Sequence, residues 1–317
     1  MKYKIAFTGL GSIGRRHIQN VTTLLTSRGD EVDIHAYRQQ GGMLDPQTAS
    51  LVSREYTFAD GPVEEYDVVF VTNPTDMHFE TIKRFAPATR SMFIEKPVFS
   101  SGVTDISLLE LRTGGVYYVA CPLRYSAVLR WIHKNIDLQS VYGVRAICST
   151  YLPDWRPGTD YRESYSAHAN RGGGVEIDLI HEWDYLTWFF GYPDKIVMSS
   201  GKYSELEIES NDFASYIGSY ENRLIELHLD YFGRVRERTL SMYLPGEKII
   251  ADIDSGQIKF LKSGKFVNCA EKRNDYQSEE IAHFFDILDG RAENDNSIQN
   301  ALRVLRLTKG ELKWGKN

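Results

Sequence analysis

The sequence has few cysteines and no long apolar run. Its 317 residues include three cysteines, Cys121, Cys148 and Cys269, with no C-x-x-C spacing. This pattern excludes a disulfide-stapled module and predicts reduced, mostly buried thiols and no metal cluster. No stretch approaches the roughly 20 apolar residues of a membrane span, and the first apolar run is too short for a signal peptide. We therefore expect a cytoplasmic protein with no membrane partner.

The sequence also has no excess of positive charge. It contains 37 lysines and arginines against 43 acidic residues, a net charge of −6. The electrostatic field of this negative net charge repels a polyanion, so we expect no nucleic-acid partner. A local basic cleft for one phosphate remains compatible with the net charge. The length and the 42% hydrophobic content suit two domains, each with its own core.

The order of the predicted elements indicates two different sheets. Short apolar runs alternate with helical patterns over residues 4–120, which is typical of a parallel sheet built from βαβ units; the runs are 4–8, 32–37, 67–72, 92–95 and 116–120. After Cys121 several strands follow one another, which favours an antiparallel sheet. We predict an α/β fold with domains at 1–121 and 122–317. In the run 224–231, Ile225, Leu227, Leu229 and Tyr231 share a face that we expect to pack on helices.

A glycine-rich turn follows the first predicted strand. Gly9, Gly11 and Gly14 enclose Ser12 and Ile13, and a helical pattern begins near Arg15. This strand–turn–helix context predicts binding of a dinucleotide, with the pyrophosphate at the helix N-terminus. An ordinary turn without a ligand is the alternative.

The end of the second predicted strand bears on the choice of cofactor. An acid there binds the ribose 2′-hydroxyl of NAD, whereas an arginine accommodates the 2′-phosphate of NADP. This strand ends in Tyr37 and Arg38, and Asp33 lies five residues earlier, inside the strand. The pattern favours NADP(H) over NAD(H), and a solvated Arg38 would leave NAD open.

Polar residues follow the next parallel strands, where ligands bind in such sheets. Residues predicted to flank the nicotinamide half of the cofactor are Thr72, Asn73, Pro74 and His78, together with Glu95, Lys96 and Pro97. Lys96 would be a donor or acid/base if it is buried, and an ordinary lysine paired with Glu95 if it is not.

A third cluster of candidates follows the glycines at 172–174. With one continuous helix at about 100° per residue, Asp178, His181, Glu182 and Tyr185 share one face and Leu179 and Trp183 begin an apolar stripe. An acid beside a histidine can orient and stabilise the ring as it exchanges a proton. A solvated helix face is the alternative, and H-E-x-x-H zinc binding is excluded because Tyr185 takes the place of the second histidine.

The segment before these glycines is rich in aromatic residues and arginines. Such side chains suit a polyhydroxylated or anionic ligand, and an oligomer interface is the alternative. The residues predicted to hold the substrate are Arg124, Tyr151, Trp155, Tyr161, Arg162 and Glu182.

The glycine turn, the 72–78 segment, Glu95-Lys96-Pro97 and the 172–184 run together resemble the glucose-fructose oxidoreductase and inositol dehydrogenase family (Gfo/Idh/MocA). The resemblance implies an N-terminal Rossmann domain, a C-terminal α/β domain with a large open-faced sheet, often used in homo-oligomers, and NAD(P)-linked redox chemistry on sugars or cyclitols. It assigns Lys96 to cofactor and substrate contact and His181 to acid/base catalysis. The usual D-x-x-x-H is shortened here to Asp178-x-x-His181, so the residue that carries the proton stays open between His181 and Lys96.

These observations predict an oxidoreductase that transfers a hydride between nicotinamide and a secondary hydroxyl or ketone of a sugar or activated sugar. The W-R-P-G-x-D-Y-R segment resembles a branch associated with bacterial surface-sugar pathways. Two alternatives are a redox-neutral sugar enzyme that retains its cofactor and a non-catalytic NADP(H)-binding regulator. We expect a homodimer or larger homo-oligomer formed through the C-terminal sheet.

Overall fold

The computed structural model describes residues 1–39, 43–59, 61–272 and 274–312. The chain forms two compact units: one contains Met1–Ala120 and Gln277–Leu302, and the other contains Cys121–Tyr276 and the chain from Arg303 onward. The sequence-based boundaries assigned all of 122–317 to one domain, whereas Gln277–Leu302 lies in the first unit.

The first unit contains a six-stranded parallel sheet. Its elements are β1 (Lys2–Thr8), α1 (Ser12–Ser27), β2 (Glu31–Arg38), α2 (Pro46–Leu51), β3 (Arg54–Thr57), β4 (Val68–Val71), α3 (His78–Phe85), β5 (Ser91–Ile94) and β6 (Val116–Val119). The strand order β3-β2-β1-β4-β5-β6 is that of a doubly wound dinucleotide-binding sheet. All of β4 and the last four residues of β1 are buried, because both faces of the sheet are covered at these strands. The predicted parallel sheet is confirmed, and β3 was not foreseen because its polar sequence lacks an apolar run.

The second unit contains an eight-stranded, mostly antiparallel sheet. Its elements are α4 (Ala127–Asn135), β7 (Gly143–Tyr151), α5 (Val175–Asp178), α6 (His181–Phe190), β8 (Lys195–Gly201), β9 (Phe213–Ser219), β10 (Leu224–Asp230), β11 (Phe232–Leu244), β12 (Glu247–Asp252), β13 (Gln257–Phe260) and β14 (Phe266–Asn268). The strand order is β14-β13-β12-β11-β7-β10-β9-β8, with β7 and β10 parallel. After β14 the chain forms α7 (Asp275–Leu288), most of which belongs to the first unit, and α8 (Ile298–Thr308), whose residues up to Leu302 belong to the first unit and whose later residues belong to the second.

Four strands of this second sheet, β7, β9, β10 and β12, alternate over most of their length between buried and more exposed residues. Ile225, Leu227 and Leu229 are buried, as is Tyr231 directly after β10, which confirms the predicted apolar face. Among the described residues, no helix has the length and apolar character needed to cross a membrane. Nor does that part of the chain contain a group of three or more histidine, cysteine or acidic side chains placed to hold a metal ion.

Candidate functional site

The glycine turn between β1 and α1 contains three glycines in three different environments. Gly9 has φ of 105°, and a Cβ atom there would lie 2.8 Å from the Cα of Asn73. A Cβ at Gly14 would overlap the carbonyl oxygen of Gly9. A Cβ at Gly11 would have no atom within 4 Å. Packing therefore explains Gly9 and Gly14, whereas Gly11 faces open space and has no packing reason to be glycine.

The N-terminus of α1 lies at this opening. Gly11 is the N-cap residue and supplies no side-chain cap, and the first helical turn has no acidic residue. The first N–H groups of a helix lack partners within the helix and carry its positive end, which together favour an anion. The exposed Ser12, the half-buried Ile13 and the open Gly11 thus form a cradle that fits a pyrophosphate group.

Arg38 lies at the carboxyl end of β2, where the sequence predicted it. Its Nη1 donates to Glu55 Oε1 of β3 at 2.8 Å, and both residues line a cavity of about 430 Å³. Asp33 pairs with Lys4 in the strand register and lies well before the end of β2, as expected. The arginine lines this cavity, and the Glu55 carboxylate neutralises part of its charge.

The loop after β4 is fixed by hydrogen bonds from three polar side chains. Thr72 Oγ1 donates to the Gly9 carbonyl at 2.7 Å, and Asn73 Nδ2 donates to Thr81 Oγ1 at 2.7 Å. The buried His78 ring places Nε2 3.0 Å from the Asn73 carbonyl oxygen and Nδ1 3.2 Å from that of Val98. Burial lowers the pKa of His78. Its contacts favour a role in holding the loops after β4 and β5, and cofactor contact by His78, as by Thr72, Asn73 and Pro74, stays a prediction.

A histidine that the sequence analysis did not select supports the Glu95-Lys96-Pro97 segment. His17 of α1 is buried, and its Nε2 lies 2.5 Å from Glu95 Oε1, while the backbone N–H of Lys96 donates to Glu95 Oε2 at 3.2 Å. Burial opposes ionisation of Glu95, but His17 and Lys96 outweigh it and lower its pKa. The half-buried Lys96 precedes a cis bond to Pro97. His17 thus holds one carboxylate oxygen of Glu95, and the other accepts a hydrogen bond from the backbone of Lys96.

The single helix predicted after Gly174 is wrong, because the structure divides it. α5 ends at Asp178 and α6 begins at His181, with Leu179 at φ −96° and ψ 26° between them. The N–H groups of Ile180 and Glu182 donate to residues three positions earlier, so the chain is wound more tightly here. The shared helix face expected for Asp178 and His181 does not hold across this junction. Asp178 is buried and His181 is half-buried at the start of α6.

The phenols of two tyrosines interact with the Asp178 carboxylate. Tyr231 donates its hydroxyl to Asp178 Oδ2 at 2.5 Å, and the negative charge of Asp178 also acts on the phenol of Tyr165. Burial, and then the negative charge of Asp178, raise the pKa of both phenols. Trp155 packs edge-on against Tyr231 with ring centroids 5.3 Å apart. Neither tyrosine was selected from sequence, although Tyr231 lay on the predicted buried face, where a phenol needs a polar partner.

Three residues predicted to contact substrate are instead engaged in ion pairs within the second unit. Glu182 is fully buried and accepts from Arg238 Nε at 3.0 Å; burial raises its pKa and Arg238 opposes this. Arg124 binds Asp184 through two hydrogen bonds of 2.9 and 2.7 Å. Arg162 pairs with Asp160 at 2.7 Å and with Glu207 at 3.0 Å; these last pairs lie at the surface. Substrate contact by Glu182, Arg124 and Arg162 stays a prediction, and these contacts favour structural roles.

The aromatic candidates lie in and beside the same loop. Tyr151 ends β7 and stacks beneath Arg234, whose guanidinium carbon lies 3.9 Å from the ring centroid. The hydroxyl of Tyr161 accepts from the backbone N–H of Glu207 at 3.2 Å. Of these residues, Trp155 contacts Tyr231 and Tyr151 pairs with Phe232 in the sheet, while Tyr161 contacts the backbone of Glu207.

No model of a known protein family matches the sequence. Over 187 residues, 58% of this chain and 52% of the relative, it is 26% identical to the uncharacterised oxidoreductase YrbE of Bacillus subtilis (strain 168). It is 27% identical to the inositol 2-dehydrogenase of Rhizobium meliloti (strain 1021) over 130 residues, which are 40% of this chain and 37% of that enzyme. The chain thus spans about half or less of the curated relatives it matches.

The fold is shared along almost the whole chain with a solved sugar dehydrogenase. The structure of levoglucosan dehydrogenase in complex with NADH and levoglucosan superposes with a TM-score of 0.79, covering 98% of this chain and 96% of that one at 12% identity. Together with the sequence likeness to an inositol dehydrogenase, this confirms the resemblance to the Gfo/Idh/MocA oxidoreductases.

Proposed function

We propose that the protein is a nicotinamide-dependent oxidoreductase acting on a secondary hydroxyl or ketone of a sugar or activated sugar. The observation that carries this proposal is the contrast at the glycine turn, where Gly9 and Gly14 are needed for packing and Gly11 is left open beside a helix N-terminus. The relatives support it, because they include an inositol dehydrogenase and a levoglucosan dehydrogenase solved with NADH.

The first unit would bind the dinucleotide. The N–H groups around Gly11 would hold the pyrophosphate, and when bound the nicotinamide ring supplies or accepts the hydride. Arg38 would contact a ribose 2′-phosphate, which keeps NADP(H) as the predicted preference. Glu55 opposes that preference, since its carboxylate lies 2.8 Å from the Arg38 guanidinium and would repel the phosphate.

The proton steps would use three residues. Oxidation of a carbinol removes a proton from oxygen as the hydride leaves carbon, and His181 would accept that proton. Lys96 would donate a hydrogen bond to the same oxygen and polarise it, with its backbone fixed by Glu95 and His17. Asp178 would orient the reacting group or His181 while Tyr231 fixes its own carboxylate.

The open side of the large sheet supports a homo-oligomer. Val197 of β8 and Ile217 of β9 are paired in register and are 67% and 45% exposed. Exposed apolar side chains on adjacent strands are typical of a surface that a second subunit covers. We expect light scattering to give at least a dimer, and Val197→Lys with Ile217→Lys to weaken it.

The experiment is a turnover screen with purified protein, NADP⁺ or NAD⁺, and a panel of cyclitols, free sugars and sugar nucleotides, followed by nicotinamide absorbance and product analysis. We expect net reduction of the cofactor with a member of the panel, and a fall of about 10²- to 10⁴-fold in kcat for His181→Ala. His133→Ala, which alters a histidine stacked on Trp188, is the matched control. Product formation without net absorbance change would instead identify the redox-neutral alternative.

A further inference from the structure

An acidic side chain lies at the end of β2, but it comes from the neighbouring strand β3. β2 itself ends in Arg38, and Asp33, the acid inside β2, accepts a hydrogen bond from Ser53 Oγ well before that end. Glu55 of β3 lies beside Arg38 instead, with Arg38 Nη1 donating to Glu55 Oε1 at 2.8 Å. An arginine that suits a ribose 2′-phosphate and an acid that suits a ribose 2′-hydroxyl are therefore in contact with each other.

The register of the two strands explains this contact. β2 and β3 are parallel, and Ala36 pairs with Glu55 while Arg38 pairs with Thr57. Successive side chains of a strand alternate between the two faces of a sheet, so Arg38 and Glu55 project on the same face. The side chain of Arg38 is 15% exposed and that of Glu55 is 48% exposed. The carboxylate is thus the more accessible member of the pair.

Glu55 is the one acid among the described residues that line the cavity beside Arg38. The second cation in this lining is Arg54, whose Nη1 lies 3.6 Å from the carboxylate of Glu64, a residue outside the lining. The uncharged described residues that line the cavity are Met43, Leu44, Ala49, Val52 and Ser53. Neutralising Glu55 therefore removes the negative charge that these described residues contribute to the cavity.

We propose that Glu55 determines the selectivity between NADPH and NADH by competing with the 2′-phosphate for the guanidinium of Arg38. A carboxylate 2.8 Å from the guanidinium occupies a donor that would otherwise bind the phosphate, and its charge repels the phosphate. A ribose 2′-hydroxyl is uncharged and can donate a hydrogen bond to the same carboxylate. Glu55 thus limits the preference for NADP(H) that Arg38 alone would give.

This inference rests on the proposed dinucleotide binding by the first unit. The test is titration of the cofactor-free protein with NADPH and with NADH, followed by nicotinamide fluorescence, in the wild type and in Glu55→Gln. The two dinucleotides differ only in the 2′-phosphate, so the ratio of their dissociation constants measures recognition of that group. Glutamine can still accept a hydrogen bond from Arg38, so the variant removes the charge and keeps the contact. Unfolding in urea checks that this half-exposed substitution leaves the fold intact.

We expect Glu55→Gln to change the ratio at least about fivefold in favour of NADPH, through tighter binding of NADPH. In an Arg38→Gln background we expect the same substitution to change the ratio by a smaller factor, because no guanidinium remains to compete for. The matched control is Glu31→Gln, which removes the same charge from an exposed position at the opposite end of β2. We expect this control to change the ratio less than about twofold.

Three results would overturn the inference while leaving the proposed function in place, provided that the wild type binds a dinucleotide. They are a change of less than about fivefold in Glu55→Gln, an equal change in Glu31→Gln, and an undiminished effect of Glu55→Gln in the absence of Arg38. Binding of neither dinucleotide by the wild type would overturn both the inference and the proposed function.

Discussion

Replacing Gly11 and Gly14 separately by alanine distinguishes an effect on dinucleotide binding from an effect on the stability of the fold. At Gly11 the backbone is extended, with φ −66° and ψ −171°, and the added methyl meets nothing within 4 Å. We expect Gly11→Ala to cost less than about 1 kcal/mol, the small difference between glycine and alanine at an N-cap. The same methyl lies where the pyrophosphate would approach, so dinucleotide affinity is expected to fall about tenfold or more through lost charge-assisted hydrogen bonds.

Gly14→Ala is expected to act on stability instead. Its methyl overlaps the Gly9 carbonyl oxygen and lies 3.1 Å from Thr72 Oγ1, so the turn or the helix must shift. Overpacking of this kind costs about 1–3 kcal/mol and exceeds the gain of up to about 1 kcal/mol in helix propensity. Unfolding midpoints in urea, followed by circular dichroism, and fluorescence titrations with NADPH and NADH measure both effects. Equal destabilisation by the two variants, or full dinucleotide affinity in Gly11→Ala, would refute this reasoning.

Three further predictions follow from the ion pairs and buried groups. Arg238→Met leaves the Glu182 carboxylate buried without its partner and is expected to destabilise the protein by about 3–5 kcal/mol, while the double variant with Glu182→Leu recovers most of this loss in urea denaturation. Because the folded-state pKa of His78 is lowered from 6.5, its contribution to stability is complete above that pH and is lost as pH falls toward the folded-state value; His78→Gln is expected to flatten the dependence of the melting temperature on pH in this window. Arg38→Ala is expected to weaken NADPH binding about tenfold or more with little change for NADH, and equal losses for both cofactors would contradict its role at the 2′-phosphate.

The parts of the fold that depend on local pattern were predictable. The parallel strands of the first unit have short apolar runs, and the glycine turn combines close packing at Gly9 and Gly14 with an opening at Gly11. Both features are encoded within a few consecutive residues, so the sequence analysis found them. The boundary of the first unit was not predictable in this way, because the packing of Gln277–Leu302 depends on contacts far apart in sequence.

The types of residue in the candidate site were predictable from the sequence, but the hydrogen-bond and ion-pair partners of these residues were not. A count of 100° per residue assumes one continuous helix, and the break after Asp178 removes that assumption. Arg162 and Arg156 look equivalent in sequence, yet Asp160 and Glu207 neutralise the first and leave the second on a tyrosine ring. The Tyr231–Asp178 hydrogen bond joins residues 53 positions apart, a distance over which periodicity carries no information.

The most direct test of the account is titration of the cofactor-free protein with NADPH and with NADH, followed by nicotinamide fluorescence, in the wild type and in Gly11→Glu. The account predicts saturable 1:1 binding of a reduced nicotinamide dinucleotide by the wild type, and its loss in a Gly11→Glu variant that unfolds at the same urea concentration. Binding of neither dinucleotide, or undiminished binding by Gly11→Glu, would contradict the assignment of the glycine turn and with it the proposed oxidoreductase.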